Sequence, residues 1–176
     1  MNRRHAALAA ALFALASPAA AAPPAGEGPS DAQIAHIAYT AGQLDVDAAR
    51  QALERSRNNE VRAFAETMIR DHEAVNRQAV ALVQRLGVTP EANPTSESLT
   101  AQAAATRERL ASLEGAAFDR AYVENEAAFH RTVNGALSGT LIPAADNAEL
   151  KALLEAGLAL FGEHQSHAEQ LARRQQ

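Results

Sequence analysis

The chain has 176 residues, of which 47% are hydrophobic and only 4% aromatic, with no cysteine and a formal net charge of −5. This length is typical of one domain with its own hydrophobic core. The absence of cysteine excludes a disulfide scaffold, a thiolate zinc site and a cysteine nucleophile. The acidic balance argues against nucleic acid as a partner, because phosphates require clustered Lys and Arg side chains.

The first 21 residues have the pattern of a secretory signal peptide. Arg3 and Arg4 precede an apolar run over residues 6–16, and small residues lead up to Ala21. A basic start, a short apolar run and a small-residue cleavage site together define such a signal. The run is shorter than the ~20 residues that a membrane-spanning helix needs. We therefore expect cleavage after Ala21, a periplasmic or secreted protein, and no transmembrane anchor.

The mature chain is predicted to begin with a flexible lead-in, residues 22–29, which is rich in Pro and Gly and has no hydrophobic period. A helical domain over 30–173 follows. Ser30 and Gln33 form a capping box that starts a helix running to about Ser56. The apolar stripe of this helix consists of Ile34, Ile37, Ala41, Leu44, Ala48 and Ala52.

The second helix has the most regular hydrophobic period in the sequence. Asn59 is its predicted N-cap and Gly87 its C-cap. A histidine lies on its apolar stripe, which consists of Val61, Phe64, Met68, His72, Val75, Ala79, Leu82 and Leu86.

A short helix over about 96–113 is predicted next, followed by a long helix over about 116–141 that Pro143 ends. Glu126, His130 and Leu137 lie beside the apolar stripe of the long helix. The stripe itself is Phe118, Tyr122, Asn125, Phe129, Val133, Ala136 and Thr140.

The last helix begins after Asp146 or Asn147, either of which can cap it. A histidine again lies on its stripe, which consists of Leu150, Leu154, Gly157, Phe161, His164, Ala168 and Leu171. The tight connections at 58–59 and 143–146 require antiparallel hairpins. The predicted fold is therefore all-α, an antiparallel four-helix bundle with a short extra helix in the crossover between its hairpins.

Position along the bundle brings several polar residues to one level. Asp45 and His72 are nearly equidistant from the turn at 58–59, and in the second hairpin Glu126 is level with His164. His130 is one helical turn from Glu126. The sequence thus predicts one polar layer that draws side chains from all four long helices.

This layer has two interpretations. Carboxylates and imidazoles that converge in a bundle core can bind copper, zinc or iron. Alternatively, they form a metal-free hydrogen-bonded network, for which Tyr122 and Asn125 are candidate partners. A second, weaker candidate site is Glu163 with His164 and His167 near the end of the last helix.

The sequence argues against a standard di-iron oxidase. Such enzymes require Glu-x-x-His on two helices, and no histidine of this chain has Glu three residues before it. No phosphate-binding loop, nucleophile elbow or His-Glu-x-x-His motif is present either. No catalytic activity is therefore assigned.

Two segments carry a family resemblance: Met-Ile-Arg-Asp-His at 68–72 and Ala-Phe-Asp-Arg-Ala-Tyr at 117–122. With the signal peptide and the late Glu-His at 163–164, the chain resembles the exported bacterial family of domain of unknown function 4142 over residues 30–172. That family is often labelled an outer membrane protein. The resemblance implies a ferritin-like fold and recurrent histidines at His72, His130 and His164, with Asp45 replacing the family's first-helix Glu. It implies no established activity.

Two classes of function follow. One is a small exported protein that binds a metal ion through the layer, in a stress or metal-handling role. The other is a metal-free helical interaction module of the cell envelope, whose acidic surface is the working part. Protein partner and oligomeric state are not determined by the sequence.

Overall fold

The computed structural model describes residues 28–175. The predicted signal peptide and most of the lead-in lie outside the described residues. The described chain is all-α, as predicted, with no strand in that part. Its helices are α1 (Asp31–Arg55), α2 (Asn59–Leu86), α3 (Pro94–Ala111), α4 (Gly115–Ala136), a π-helix (Leu137–Leu141), α5 (Ile142–Ala144) and α6 (Ala148–Arg174).

Side-chain caps set where the helices begin. The Ser30 side chain accepts from the backbone N–H of Gln33, whose own side chain bonds back, so the predicted capping box starts α1. Asn58, one residue earlier than predicted, caps α2 because its side chain reaches the N–H groups of the first turn and Asn59 is already helical. Asn147, one of the two predicted caps, starts α6 in the same way.

The helices form a four-helix bundle of two antiparallel hairpins. α1 packs along α2, and α4 packs along α6. The crossover helix α3 runs back along the outside, chiefly against α1. No described helix is both long enough and apolar enough to cross a bilayer.

The end of α4 differs from the prediction. Pro143 does not end the helix, which continues through the π-helix and α5 to Ala144. Because proline has no N–H and its ring crowds the carbonyl one turn before, the regular α ladder cannot run through it unchanged. The wider π turn immediately before Pro143 accommodates this, and the Ile142 N–H bonds to the Leu137 carbonyl.

The apolar core divides into two clusters. The closed half lies at the end of the bundle that contains the α1–α2 turn. It consists of Ala48, Ala49, Ala52, Val61, Phe64, Ala65, Met68, Leu110, Phe118, Tyr122, Val123, Ala127, Ala168 and Leu171. The cavity half lies at the other end and surrounds a cavity of about 530 Å³. It consists of Ile34, Ile37, Leu82, Leu137, Leu141, Ala145, Leu150, Leu154 and Phe161.

The predicted stripes match the buried faces of α2 and α6 better than that of α4. Every stripe residue of α6 is buried. In α4 the buried face is rotated by about one residue, so Glu126 and His130 point inward while Phe129 is half-buried and Thr140 exposed. Phe129 and Val75, both on the predicted stripes, are half-buried and line the cavity.

Candidate metal centre

A buried polar layer separates the closed half from the cavity half. Its five members come from all four long helices and are almost completely excluded from solvent. They are Asp45 on α1, His72 on α2, Glu126 and His130 on α4, and His164 on α6. Such groups are costly to bury without partners.

The centre of the layer is a triangle of three potential ligand atoms. His72 Nε2 and His130 Nε2 are 3.4 Å apart, and Asp45 Oδ2 is 3.6 Å from each of them. Ligand atoms bound at about 2.0–2.1 Å to a tetrahedral ion lie roughly 3.3–3.4 Å from one another. The three atoms therefore already have nearly the mutual spacing that one shared ion requires.

His130 is held in the orientation that a ligand needs. Its Nδ1 lies 3.0 Å from the backbone carbonyl oxygen of Glu126. A carbonyl oxygen can only accept, so Nδ1 carries the proton and Nε2 presents its lone pair to His72 and Asp45. A metal-binding histidine is typically fixed by this kind of second hydrogen bond.

His164 and Glu126 extend the layer on either side of the triangle. Three ring nitrogens, one from each of His72, His130 and His164, lie within 4.8 Å of one another. The same is true of one ligand atom from each of Asp45, Glu126 and His130. The two groups share His130. The layer thus contains five potential ligands, three imidazoles and two carboxylates, in two overlapping groups.

His164 has a partner that the sequence reasoning missed. Its Nε2 is 3.0 Å from Asp71 Oδ2, and Arg70 pairs with the same carboxylate. Asp71 immediately precedes His72, so it lies about 100° around α2 from the buried stripe and resembles an ordinary solvated charge. The only signal for it is its place in the 68–72 segment that carries the family resemblance.

Burial controls the charge state of the imidazoles. Desolvation, with His164 adding to it, lowers the pKa of His72 to about 3. Desolvation likewise lowers the pKa of His130, although Asp45 partly offsets this. Both rings are therefore neutral near pH 7, the form in which an imidazole binds a metal ion.

Burial acts on the two carboxyl groups in the opposite direction. It raises the pKa of Asp45, and it raises the pKa of Glu126 well above the ordinary value, with the adjacent Asp45 carboxylate as the second cause. Two neighbouring buried carboxylates without a cation repel each other. If both groups were ionised, the layer would have an excess of negative charge, and either a proton on Glu126 or a metal ion relieves it.

Several atoms of the layer have no hydrogen-bond partner among the described residues. These are both carboxylate oxygens of Asp45, Glu126 Oε2, and the Nδ1 atoms of His72 and His164. The hydroxyl of Tyr122, a candidate partner in a metal-free network, is also buried and unpaired. Each unsatisfied buried group costs about 1–3 kcal/mol. A protonated Glu126 can donate to Asp45, but the Nδ1 atoms of His72 and His164 and the Tyr122 hydroxyl still have no partner among the described residues.

Of the weaker candidate site near the end of α6, His164 belongs to the layer, whereas Glu163 and His167 lie outside it. Glu163 and His167 are exposed, and the His167 ring packs edge-on against Phe64 with ring centroids 5.1 Å apart. Neither residue belongs to the two groups of ligand atoms that the described residues bring together.

Fold and site together define a helical-bundle domain with a buried histidine and carboxylate layer. The chain belongs to the family described as Domain of unknown function (DUF4142), which matches residues 3–171. No curated protein matches it.

Two solved structures show the same fold. One is a protein from Streptomyces coelicolor described as a secreted DUF305 protein, with 14% identity and a TM-score of 0.70, covering 82% of this chain and 93% of that one. The other is CopM in the Cu(II)-bound form, with 15% identity and a TM-score of 0.64, covering 84% of this chain and 98% of that one. At these identities the likeness concerns the fold.

Proposed function

We propose that this protein is an exported metal-binding protein that holds one divalent ion in the buried layer, with a role in metal handling or stress. The observation that carries this is the triangle of His72 Nε2, His130 Nε2 and Asp45 Oδ2, whose sides measure 3.4–3.6 Å. The neighbouring buried carboxyl groups of Asp45 and Glu126 support the same conclusion, because a bound cation would stabilise both in their ionised form.

Copper(II) is the ion that we expect to bind most tightly. Imidazole nitrogens suit copper, zinc, iron and nickel, and affinity for such a site rises towards copper in the first-row series. The similar fold of CopM, whose structure is in a Cu(II)-bound form, supports copper as the first ion to test. Zinc and iron are the alternatives.

Metal titration of the purified mature chain tests the proposal. After treatment with a chelator, the wild type should take up one copper ion per chain. Asp45→Asn, which keeps the shape of the side chain but removes its charge, and His72→Phe should each lose most of this uptake. His36→Ala is the matched control, because His36 lies outside the layer with Thr40 as its neighbour.

Circular dichroism would show whether each variant is still folded, and Asp45→Asn decides the matter if His72→Phe does not fold. Absence of uptake by the wild type, or equal loss in the His72 and His36 variants, would contradict the proposal. The metal-free interaction module would then be the better account.

Export is the second part of the proposal. The signal-peptide pattern over residues 1–21 supports it. Intact-mass measurement of protein from the periplasm or medium should give a chain that starts after Ala21. A mature chain that retains Arg3 and Arg4 would overturn this part.

A further inference from the structure

The cavity half contains a cavity that is partly open to solvent, with Thr95, Thr132 and Thr140 among its exposed lining residues. Its cavity measures about 530 Å³ and ends at the polar layer, where His72, His130 and Phe161 form the inner wall. Protein interiors are normally packed with few voids larger than a water molecule. A cavity of ~150 Å³ lined by apolar side chains already binds benzene. The space here would admit a molecule of roughly twenty non-hydrogen atoms on that scale.

Small residues on facing helices line the cavity. Ala41 and Gly42 line it from α1, Ala79 from α2 and Gly157 from α6. The π-helix forms another wall through Leu137 and Leu141. π turns are rare, and they occur frequently at functional sites. The space is therefore a consequence of the sequence of several helices and not of one missing side chain.

The lining defines what kind of molecule would be stable inside. Among the described residues, no Asp, Glu, Lys or Arg lines the cavity. An ionised group of a ligand would therefore have no opposite charge to pair with, which is strongly unfavourable in an apolar site. The lining favours a ligand that carries no charge.

One polar side chain in the wall offers a specific contact. Asn76 on α2 is more than nine-tenths buried and lines the cavity, and its amide makes no hydrogen bond with a described residue. The amide lies over Gly42, where a Cβ would overlap Asn76 Oδ1. An Asn amide both donates and accepts, so it can bind a hydroxyl, carbonyl or amide group of a ligand.

We propose that the cavity is a binding site for a small, uncharged and mainly apolar organic molecule with one hydrogen-bonding group, which Asn76 receives. Apolar pockets of 300–1,000 Å³ with a few placed polar groups are the usual form of small-molecule sites. The site is separate from the metal centre, although its ligand would lie against the His72 and His130 rings. It requires no metal ion.

A matched pair of fluorescent probes tests the site on the full mature chain. N-phenyl-1-naphthylamine is neutral, and 1-anilinonaphthalene-8-sulfonate has the same rings with one negative charge. With a chelator present, the neutral probe should bind with a stoichiometry of one and the sulfonate at least ten-fold more weakly. No binding of the neutral probe, or equal affinity for both, would overturn the proposal.

Two variants that fill the cavity locate the bound probe. Ala41→Leu and Ala79→Leu, on different helices, should each weaken binding of the neutral probe at least ten-fold while leaving copper uptake as in the wild type. Val80→Ala is the control, because Val80 is among the exposed large hydrophobic residues and does not line the cavity. Unchanged affinity in both leucine variants, or a loss in Val80→Ala, would place the probe on the surface and overturn the proposal.

The role of Asn76 has its own readout. Asn76→Leu should weaken binding of 1-naphthol, which has a hydroxyl group, at least five-fold relative to naphthalene, which has none. An equal effect on the two compounds would mean that Asn76 makes no hydrogen bond to the ligand, and would overturn that part of the proposal.

Discussion

The two halves of the bundle use the same helices but differ in how they fill the space between them. α1 contributes alanines to both, Ala48 and Ala52 in the closed half and Ala38 and Ala41 at the cavity. In the closed half the large residues Phe64, Phe118 and Tyr122 share a cluster with those alanines, and all three are fully buried. At the cavity, the residues across from α1 include Ala79 and Gly157.

This contrast shows that a regular amphipathic period alone does not produce a filled core. A small residue on one helix leaves space beside it. Large side chains on the facing helix fill that space, whereas small ones leave it empty. The closed half has the packing that stabilises the fold. The cavity half has the space that a ligand needs, and the polar layer lies between them.

The largest expected effect is the removal of an aromatic ring from the closed half. Phe64→Ala should lower the free energy of unfolding by ~3–5 kcal/mol, because Phe64 is fully buried and its neighbours cannot collapse into the space. Leu141→Ala, in the cavity half, should cost only about 2 kcal/mol, the low end for a buried leucine. Urea denaturation measures both. A loss below about 1 kcal/mol for Phe64→Ala would mean that the closed half is not tightly packed.

The same enlargement on one helix should have opposite consequences in the two halves. Ala49→Leu should destabilise the protein by about 1–3 kcal/mol, because Ala49 is fully buried in the closed half and there is no room for three more carbons. Ala41→Leu places the three added carbons in the cavity. The stability of this variant should therefore stay within about 0.5 kcal/mol of the wild type or increase. Equal losses in both variants would contradict the comparison.

The polar layer should give the metal-free protein a distinctive pH dependence. Because the pKa of Glu126 is raised, the folded chain keeps a proton that the unfolded chain releases above a pH of about 4.5. Stability therefore falls as pH rises towards the raised pKa, by up to about 1.4 kcal/mol per pH unit. Gln resembles the protonated form, so Glu126→Gln should become increasingly more stable than the wild type as pH rises from about 5 towards the raised pKa.

Urea denaturation in the presence of a chelator would measure this difference at each pH. Glu163→Gln, on the exposed face of α6, is the control and should change stability by only a few tenths of a kcal/mol. If the Glu126→Gln and wild-type curves run parallel across the pH range, the carboxyl group is not protonated in the folded state.

The sequence was sufficient for the overall fold because the signals are local. Caps such as Ser30 and Asn147 and the stripe of α6 depend on residues within one helix. The α4 stripe was placed one residue away because Phe129 is more hydrophobic than Glu126 and His130, which the structure buries. The hydrophobic period alone cannot identify a helix face whose buried side chains are polar.

The candidate metal centre is only partly predictable from the sequence. Counting residues from the hairpin turn brings Asp45 and His72 to one level, and the structure places them 3.6 Å apart. Asp71 and the cavity were not predicted. Asp71 contacts His164 on another helix, and the cavity depends on side-chain sizes summed over several helices, so the hydrophobic period of one helix indicates neither.

The central claim is that the buried layer binds a metal ion, and an anomalous diffraction map of the protein crystallised with copper(II) tests it most directly. We expect one peak per chain, within bonding distance of His72 Nε2, His130 Nε2 and Asp45 Oδ2. A peak only at exposed residues such as Glu163 and His167, or no ordered peak at all, would contradict the account.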